Sequence, residues 1–366
     1  MSTNLIDKIV DKDNFKQAFK QTRKGDNKYK TDAMVFNQDK IYNLEKLRQS
    51  IKDGTYEFGS YFQFLVFEPK ERIINAPGYN DKLVQMALHN ILKEVYFPKF
   101  IYDSYSCINT KGTHNCAKRI QKFIKKAKWM YGDDATIIKI DIRKFFYTIM
   151  REILKIIIAL DIDCSETLKL IYKIIDSAEQ IDELGLPLGN SFNQIGANIY
   201  MNKVDQYAKR KLGLKFYVRY ADDIVIIVEN KDKAKEILAL IRLFIKENLQ
   251  LDLNEKKSKI FPIAQGVNAI GYKIYPTHML LRNDCKKKIK RKIKAMPRLI
   301  QEGKMKASKA EQMLNSWKGH ADFANNYNFI QSLAKRNDFI YMDTKGKLKI
   351  DIQKLNKEGE LHGLQR

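Results

Sequence analysis

Two adjacent carboxylates, Asp222 and Asp223, follow Tyr220 and Ala221 between the apolar runs 214–218 and 224–228. Strand-forming residues on both sides make these four the turn of a β-hairpin. Burying an ionised carboxylate without a partner is so unfavourable that its pKa rises instead. A divalent cation relieves two carboxylates at once, and hard carboxylate oxygens suit Mg²⁺. A solvated Asp-Asp turn would also satisfy the tetrapeptide, so the choice rests on the remainder of the chain.

A further carboxylate, Asp141, stands near the C-terminal end of the β-branched run 136–142, which reads as a buried strand. Residues 151–160 and 165–175 read as helices. The punctuated segment Gly185-Leu186-Pro187-Leu188-Gly189 precedes a long helix over 191–212. The hairpin follows, then an amphipathic helix over 231–249 and short strands at 259–262 and 269–275. Strand, helices, hairpin, helix, strand is the order of a split βαβ unit. That layout puts Asp141 and Asp222 at the ends of neighbouring strands, where they could bridge two Mg²⁺ ions about 3.5–4 Å apart for in-line phosphoryl displacement. Taken alone, Asp141 would serve equally well as a strand-end turn residue.

Upstream, residues up to about 59 mix short helical patterns with polar breaks. Residues 61–67 read as a strand, 68–74 as a hairpin crossing and 81–96 as a helix. Residues 282–334 read as helices. Within them, 285–298 carries eight Lys or Arg and no acid, with Ile289, Ile293 and Met296 as its apolar stripe. Eight like charges repel one another unless a polyanion lies against them.

The 366-residue chain has 67 Lys plus Arg against 43 Asp plus Glu, a formal net charge of +24. Such an excess suits nucleic acid or an anionic membrane surface. No apolar stretch reaches the ~20 residues that span a bilayer, and the first ten residues lack a signal-peptide pattern. A cytoplasmic protein that grips nucleic acid, with no membrane partner, is the expectation. The four cysteines are scattered without a C-x-x-C pair and read as reduced thiols, and the five histidines are equally dispersed.

The chain resembles the reverse transcriptases. Lys139-Ile140-Asp141-Ile142-Arg143-Lys144-Phe145-Phe146, then Leu186-Pro187-Leu188-Gly189-Asn190-Ser191-Phe192-Asn193-Gln194, then Tyr220-Ala221-Asp222-Asp223 are similar to motifs A, B and C, in order. Leu251-Asp252-Leu253-Asn254-Glu255-Lys256-Lys257-Ser258 resembles motif D. Gly266-Val267-Asn268-Ala269-Ile270-Gly271-Tyr272 resembles the primer grip, motif E. The resemblance covers roughly residues 40–335. It implies an α+β right-hand polymerase, with an N-terminal region and fingers over 1–135, a split-βαβ palm over 136–280, an α-helical thumb over 281–340 and a tail over 341–366.

It also implies roles. Asp141, Asp222 and Asp223, with Ile142, would hold two Mg²⁺ ions, for which Mn²⁺ could substitute. Phe146 would be the steric gate against a ribose 2′-hydroxyl, an apolar plate that discriminates by one oxygen; a core aromatic is the competing reading. Arg72 would clamp the triphosphate, with Lys70 assisting, although both would also suit a solvated hairpin face. Lys257 would protonate pyrophosphate as general acid, with Lys256 and Lys259 as neighbouring alternatives. Gly189 would let the backbone approach the nascent base pair, and Gln194 would contact substrate. Lys286, Lys287, Lys290, Arg291 and Lys294 would grip the phosphates of an RNA–DNA hybrid.

The implied function is RNA-directed DNA synthesis from dNTPs on a template RNA. Tyr105-Ser106-Cys107, Lys111-Gly112-Thr113-His114, Tyr275-Pro276-Thr277 and Ser316-Trp317-Lys318-Gly319-His320 resemble the diversity-generating retroelement type. That type carries Gly-Asn-x-x-Ser-Gln in motif B, whereas this chain has Asn193 in the Ser position. Its partners would include a small basic accessory protein. The alternatives are an antiphage-defence enzyme working on a structured noncoding RNA, and a maturase-like RNA-binding protein with a vestigial polymerase site.

Overall fold

The computed structural model describes residues 4–67, 71–180 and 184–355. The chain divides into two units. The first comprises residues 1–112, 138–226 and 232–260, and the second 113–137, 227–231 and 261–366.

The helix Tyr79–Tyr96 organises the N-terminal part of the first unit, burying Leu83, Val84, Ala87, Leu88 and Leu92. Helix Lys12–Thr22, capped by Asp11 Oδ1 accepting from the Asp13 and Asn14 amides, packs on it. Buried Asn14 joins the two, donating to Ala87 O at 3.0 Å. Strands β1 (Tyr61–Val66) and β2 (Arg72–Pro77) pair antiparallel from Tyr61↔Pro77 to Val66↔Arg72. Phe62, Phe64, Leu65 and Ile73 remain exposed on this hairpin. The crossing at residues 68–70 lies outside the described residues.

Strands β3 (Thr136–Asp141), β4 (Phe216–Tyr220), β5 (Asp223–Val228) and β6 (Lys259–Pro262) form a sheet in the order β4-β5-β3-β6. Every residue of β3 is buried, as the apolar run requires. Helices Ser191–Gln206 and Lys231–Leu249 have the expected starts. The first of them does not run as an α-helix to residue 212: its last turn, Tyr207–Lys211, widens to a π-helix.

In the second unit, helix Thr113–Tyr131 buries Cys116, Ala117, Ile120, Phe123, Ile124 and Ala127. The single strand expected at 269–275 is instead the turn of an antiparallel meander of β7 (Val267–Ala269), β8 (Tyr272–Ile274) and β9 (Met279–Leu281). Ile270 and Gly271, at φ +51° and +84°, reverse the chain where an apolar run alone looks continuous. Helices Asn283–Gln301, Ala307–Asp322 and Tyr327–Lys335 follow, with a hairpin of β10 (Ile340–Met342) and β11 (Leu348–Ile350). Ile289, Ile293 and Met296 from the basic helix share a core with Leu314, Leu333, Phe339 and Leu348. Among the described residues all four cysteines are free thiols, and no helix is long and apolar enough to cross a membrane.

Candidate active site

The end of β3 is held by the loop that follows helix Lys231–Leu249. Arg143 N donates to Asp252 O at 2.9 Å, Asn254 N donates to Asp141 O at 2.8 Å, and Ile142 bridges Leu253. Ser258 Oγ accepts from Asp141 N at 3.2 Å. This binding brings Lys257 over Asp141, with Nζ 3.0 and 2.9 Å from the two carboxylate oxygens. The motif A aspartate and the motif D lysine are thus one ion pair, with Asp141 buried and the Lys257 side chain half exposed.

Ala221 and Asp222 form the two-residue turn between β4 and β5. Ala221 adopts φ +53°, the left-handed backbone that such hairpin turns need and that a Cβ disfavours. Asp223 begins β5, and Lys139 Nζ lies 3.4 Å from its Oδ1, an oxygen that accepts no hydrogen bond among the described residues. Asp222 is pushed up to about 6 from its ordinary 3.8, chiefly by burial, then by the charges of Asp223 and Asp141; its own amide and Lys257 oppose the rise. The three carboxylates therefore share one locally negative field. Among the described residues no three His, Cys, Asp or Glu side chains are gathered as ready metal ligands. The hard oxygen donors, the raised Asp222 and the Asp223 Oδ1 left without a hydrogen bond fit a divalent cation.

What holds this turn is Arg219, which the sequence alone does not mark out as part of the site. Arg219, in β4, is fully buried against Asp205 of helix Ser191–Gln206, also fully buried. Its Nε lies 2.8 Å from Asp205 Oδ1, and its Nη2 lies 2.7 Å from Oδ2. Nη2 also donates to Ser104 Oγ at 3.0 Å, and Nη1 donates to Asn198 Oδ1 at 3.0 Å and to Ala221 O at 3.1 Å. Tyr217 OH donates to Asp205 Oδ1 at 2.7 Å. Burial works against the Arg219 charge, but Asp205 more than offsets it and the guanidinium pKa is raised. One arm of the pair grips the motif B helix and the other the backbone immediately before Asp222. An arginine in an otherwise apolar strand run was the available signal.

The motif B loop is seated on β2. Asn75 N donates to Leu188 O at 2.7 Å, Asn193 Nδ2 donates to Pro187 O at 2.6 Å, and Asn190 Oδ1 caps the helix through Phe192 N. Gly189 sits at φ +114°, and a Cβ there would lie 2.8 Å from Ile74 Cγ2 and 2.9 Å from Asn75 O. The close approach seen at this glycine is therefore to the β2 backbone. Gly189→Ala should destabilise the protein by about 2–4 kcal/mol through left-handed strain plus overpacking, read as a lower melting temperature; unchanged melting would contradict this packing.

Phe146 is half-buried, its ring edge-on to Phe145 at 5.3 Å and its carbonyl accepting from Leu186 N at 2.7 Å. Arg72 is exposed at the start of β2 and Gln194 is exposed on the motif B helix, while Lys70 lies outside the described residues. In the second unit, Lys287, Lys290, Arg291 and Lys294 are exposed along the basic helix. Lys286 is half-buried, and its Nζ and that of Lys290 lie 5.3 and 5.6 Å from the Phe329 ring centroid.

A sheet that offers carboxylates from adjacent strands, with a helix and loop clamped behind the turn, has the fold of a right-hand polymerase palm. Residues 68–274 match the family described as reverse transcriptase (RNA-dependent DNA polymerase), and the chain belongs to that family. It is 25% identical over 310 residues to the group II intron-encoded protein LtrA of Lactococcus lactis, covering 65% of this chain and 50% of that one. It is 23% identical over 274 residues to protein YkfC of Escherichia coli K12, covering 63% and 71%. A solved telomerase from Candida albicans, in complex with a fragment of telomeric RNA, superposes with a TM-score of 0.46 at 10% identity, covering 67% of this chain and 51% of that one. The chain spans half the length of LtrA, and 37% of a putative COX1 intron 2 protein of Saccharomyces cerevisiae.

Proposed function

We propose that the chain is an RNA-directed DNA polymerase, joining dNTPs to a primer 3′-hydroxyl opposite an RNA template with release of pyrophosphate. The observation that carries this is the shared field of Asp141, Asp222 and Asp223 at one end of the sheet, in a chain of net charge +24. Asp141, Asp222 and Asp223, with the Ile142 backbone, would hold two Mg²⁺ ions, or Mn²⁺ in their place. Bound there, the ions lower the pKa of the primer hydroxyl and stabilise charge on the departing pyrophosphate. The chain's own groups do the rest. Lys257, held against Asp141, carries the proton for the leaving pyrophosphate on Nζ. Arg72 and Lys70 bind the triphosphate, and Phe146 excludes a 2′-hydroxyl. Gln194 would contact the incoming nucleotide, and Gly189, packed on β2, would let the motif B loop pass close to the nascent base pair. Lys286, Lys287, Lys290, Arg291 and Lys294 grip the hybrid backbone. Primer extension on an RNA template with dNTPs and Mg²⁺ should yield products whose length follows the template and which vanish on chelation; no extension under any divalent cation would refute the reading.

The raised Asp222 sets a pH dependence. In the fold it takes up a proton as pH falls through about 6, where an unfolded chain keeps it ionised until near 4. Protonation competes with a cation, so extension at limiting Mg²⁺ should fall below about pH 6 and recover in part at saturating Mg²⁺. A rate flat between pH 7 and 5 at limiting Mg²⁺ would contradict the assignment.

The finer assignment is to a diversity-generating retroelement, supported by the stretches around Tyr105, Lys111, Tyr275 and Ser316. Asn193, which departs from that type, is committed to the Pro187 carbonyl. A small basic accessory protein would then be a partner; a neighbouring structured RNA gene would favour the antiphage alternative. The intron-encoded relatives favour, as the second reading, a maturase-like RNA-binding protein with a vestigial polymerase site, and chemistry at Asp222 would exclude the vestigial site.

A further inference from the structure

Helix Thr113–Tyr131 of the second unit carries Lys118, Arg119, Lys122, Lys125, Lys126 and Lys128 and no acidic residue. Lys118, Lys122, Lys125 and Trp129 recur at i, i+4, i+7 and i+11, so they form one exposed stripe about 16 Å long at the helical rise. Like charges at this spacing destabilise a helix by a few tenths of a kcal/mol per pair. Lys128 has Asp133 at 3.2 Å, and Lys118 lies over the Phe323 ring. Among the described residues Lys122, Lys125 and Lys126 have no ion pair. At the end of the stripe Trp129 is 86% exposed, the most exposed large apolar side chain described. A bare indole and an unneutralised lysine row are each unfavourable in water, and one ligand relieves both.

We infer that this stripe is a docking surface for single-stranded RNA, with phosphates along Lys118, Lys122 and Lys125 and an unpaired base stacked on Trp129. Base–aromatic stacking combined with a cationic track is the general chemistry of single-strand binding. A duplex would satisfy the lysines and leave the indole without a free base. An anionic bilayer is the poorer occupant, because membrane-surface helices insert an apolar face and here that face is already buried in the unit's core. The stripe belongs to the second unit and the three carboxylates to the first, and the inference does not depend on polymerase activity.

Trp129 reports on its own site, because the chain has only one other tryptophan, Trp317, whose Nε1 is buried and has no hydrogen-bond partner among the described residues. Trp317→Phe therefore removes no hydrogen bond and leaves Trp129 as the sole fluorophore. A 20-nucleotide oligouridylate titrated into the full-length Trp317→Phe protein should quench Trp129 saturably. Adding Lys122→Glu and Lys125→Glu should weaken that quenching at least tenfold and flatten its log–log salt dependence by about 1.4, at ~0.7 per lost cation. Primer extension by the charge-reversed protein on a short template–primer should be unchanged, which separates this surface from the polymerase reading. In the wild-type chain, a 4-thiouridine oligonucleotide should crosslink within residues 118–129, a measurement that needs no substitution. RNA binding without Trp129 quenching, quenching indifferent to the lysines, or quenching by phosphatidylserine vesicles in place of RNA would overturn the inference.

Discussion

Asp222→Asn should abolish nucleotide incorporation, by at least about 10³-fold, while leaving the metal-free protein as stable as wild type or more so. The two halves of this result have one cause. Asp222 is half-buried beside Asp223 and Asp141, and loss of solvation first, then their repulsion, lifts it to about 6. At pH 7 it is held ionised against that field, so folding is disfavoured relative to a neutral side chain of the same shape. Asparagine removes the repulsion, worth on the order of 1 kcal/mol once solvent screening is allowed for. It also removes one donor from the set that would hold the ions, and charge stabilisation in the transition state is commonly worth several kcal/mol. In chelator, the melting advantage of Asp222→Asn over wild type should shrink as pH falls through about 6, because the wild-type carboxyl is then neutral too. An advantage that grows on acidification would contradict the electrostatic account.

Arg219→Met should be the most damaging single substitution for stability, costing about 3–5 kcal/mol. It strands the fully buried Asp205 carboxylate with only Tyr217 as a partner. Replacing both partners, Arg219→Met with Asp205→Leu, should recover most of the loss, since an apolar pair of similar volume needs no neutralisation. The double variant still lacks the bond from Arg219 to the Ala221 carbonyl. Its melting should therefore approach wild type while incorporation stays depressed by about tenfold or more, with a raised Mg²⁺ requirement and little change in primer–template affinity. Activity returning with stability would show that the pair acts only through folding. Circular dichroism melting and single-turnover extension on the same samples separate the outcomes.

Much of the palm was legible because its elements are locally determined. The strand at 136–142 is an apolar run that buries on both faces, and Lys231–Leu249 keeps its period over nineteen residues. The carboxylate turn announced itself because two adjacent acids between strands need an explanation. Less legible was whatever depends on contacts distant in sequence. Arg219 and Asp205 are unremarkable until β4 lies beside the motif B helix. Lys257 reaches Asp141 only because residues 252–258 bond to the end of β3. Gly189 reads as a substrate-facing glycine, yet its neighbour is Asn75 of β2, more than a hundred residues earlier. The helix Thr113–Tyr131 is hard to read from sequence because a dense run of lysines masks the apolar period of Cys116, Ile120, Phe123 and Ala127. At 269–275 the residues looked like one strand, and positive φ at Ile270, a β-branched residue, concealed the turn.

Asp141, Asp222 and Asp223 are proposed as the catalytic centre of a template-directed polymerase. Single-turnover incorporation of one dNTP on an RNA template, by wild type and Asp222→Asn at matched folded fraction with saturating Mg²⁺, tests this assignment most directly. Wild type should incorporate the template-matched nucleotide, and the variant should do so at a rate at least about 10³-fold lower. Equal rates in the two proteins, or no incorporation by either, would contradict the assignment.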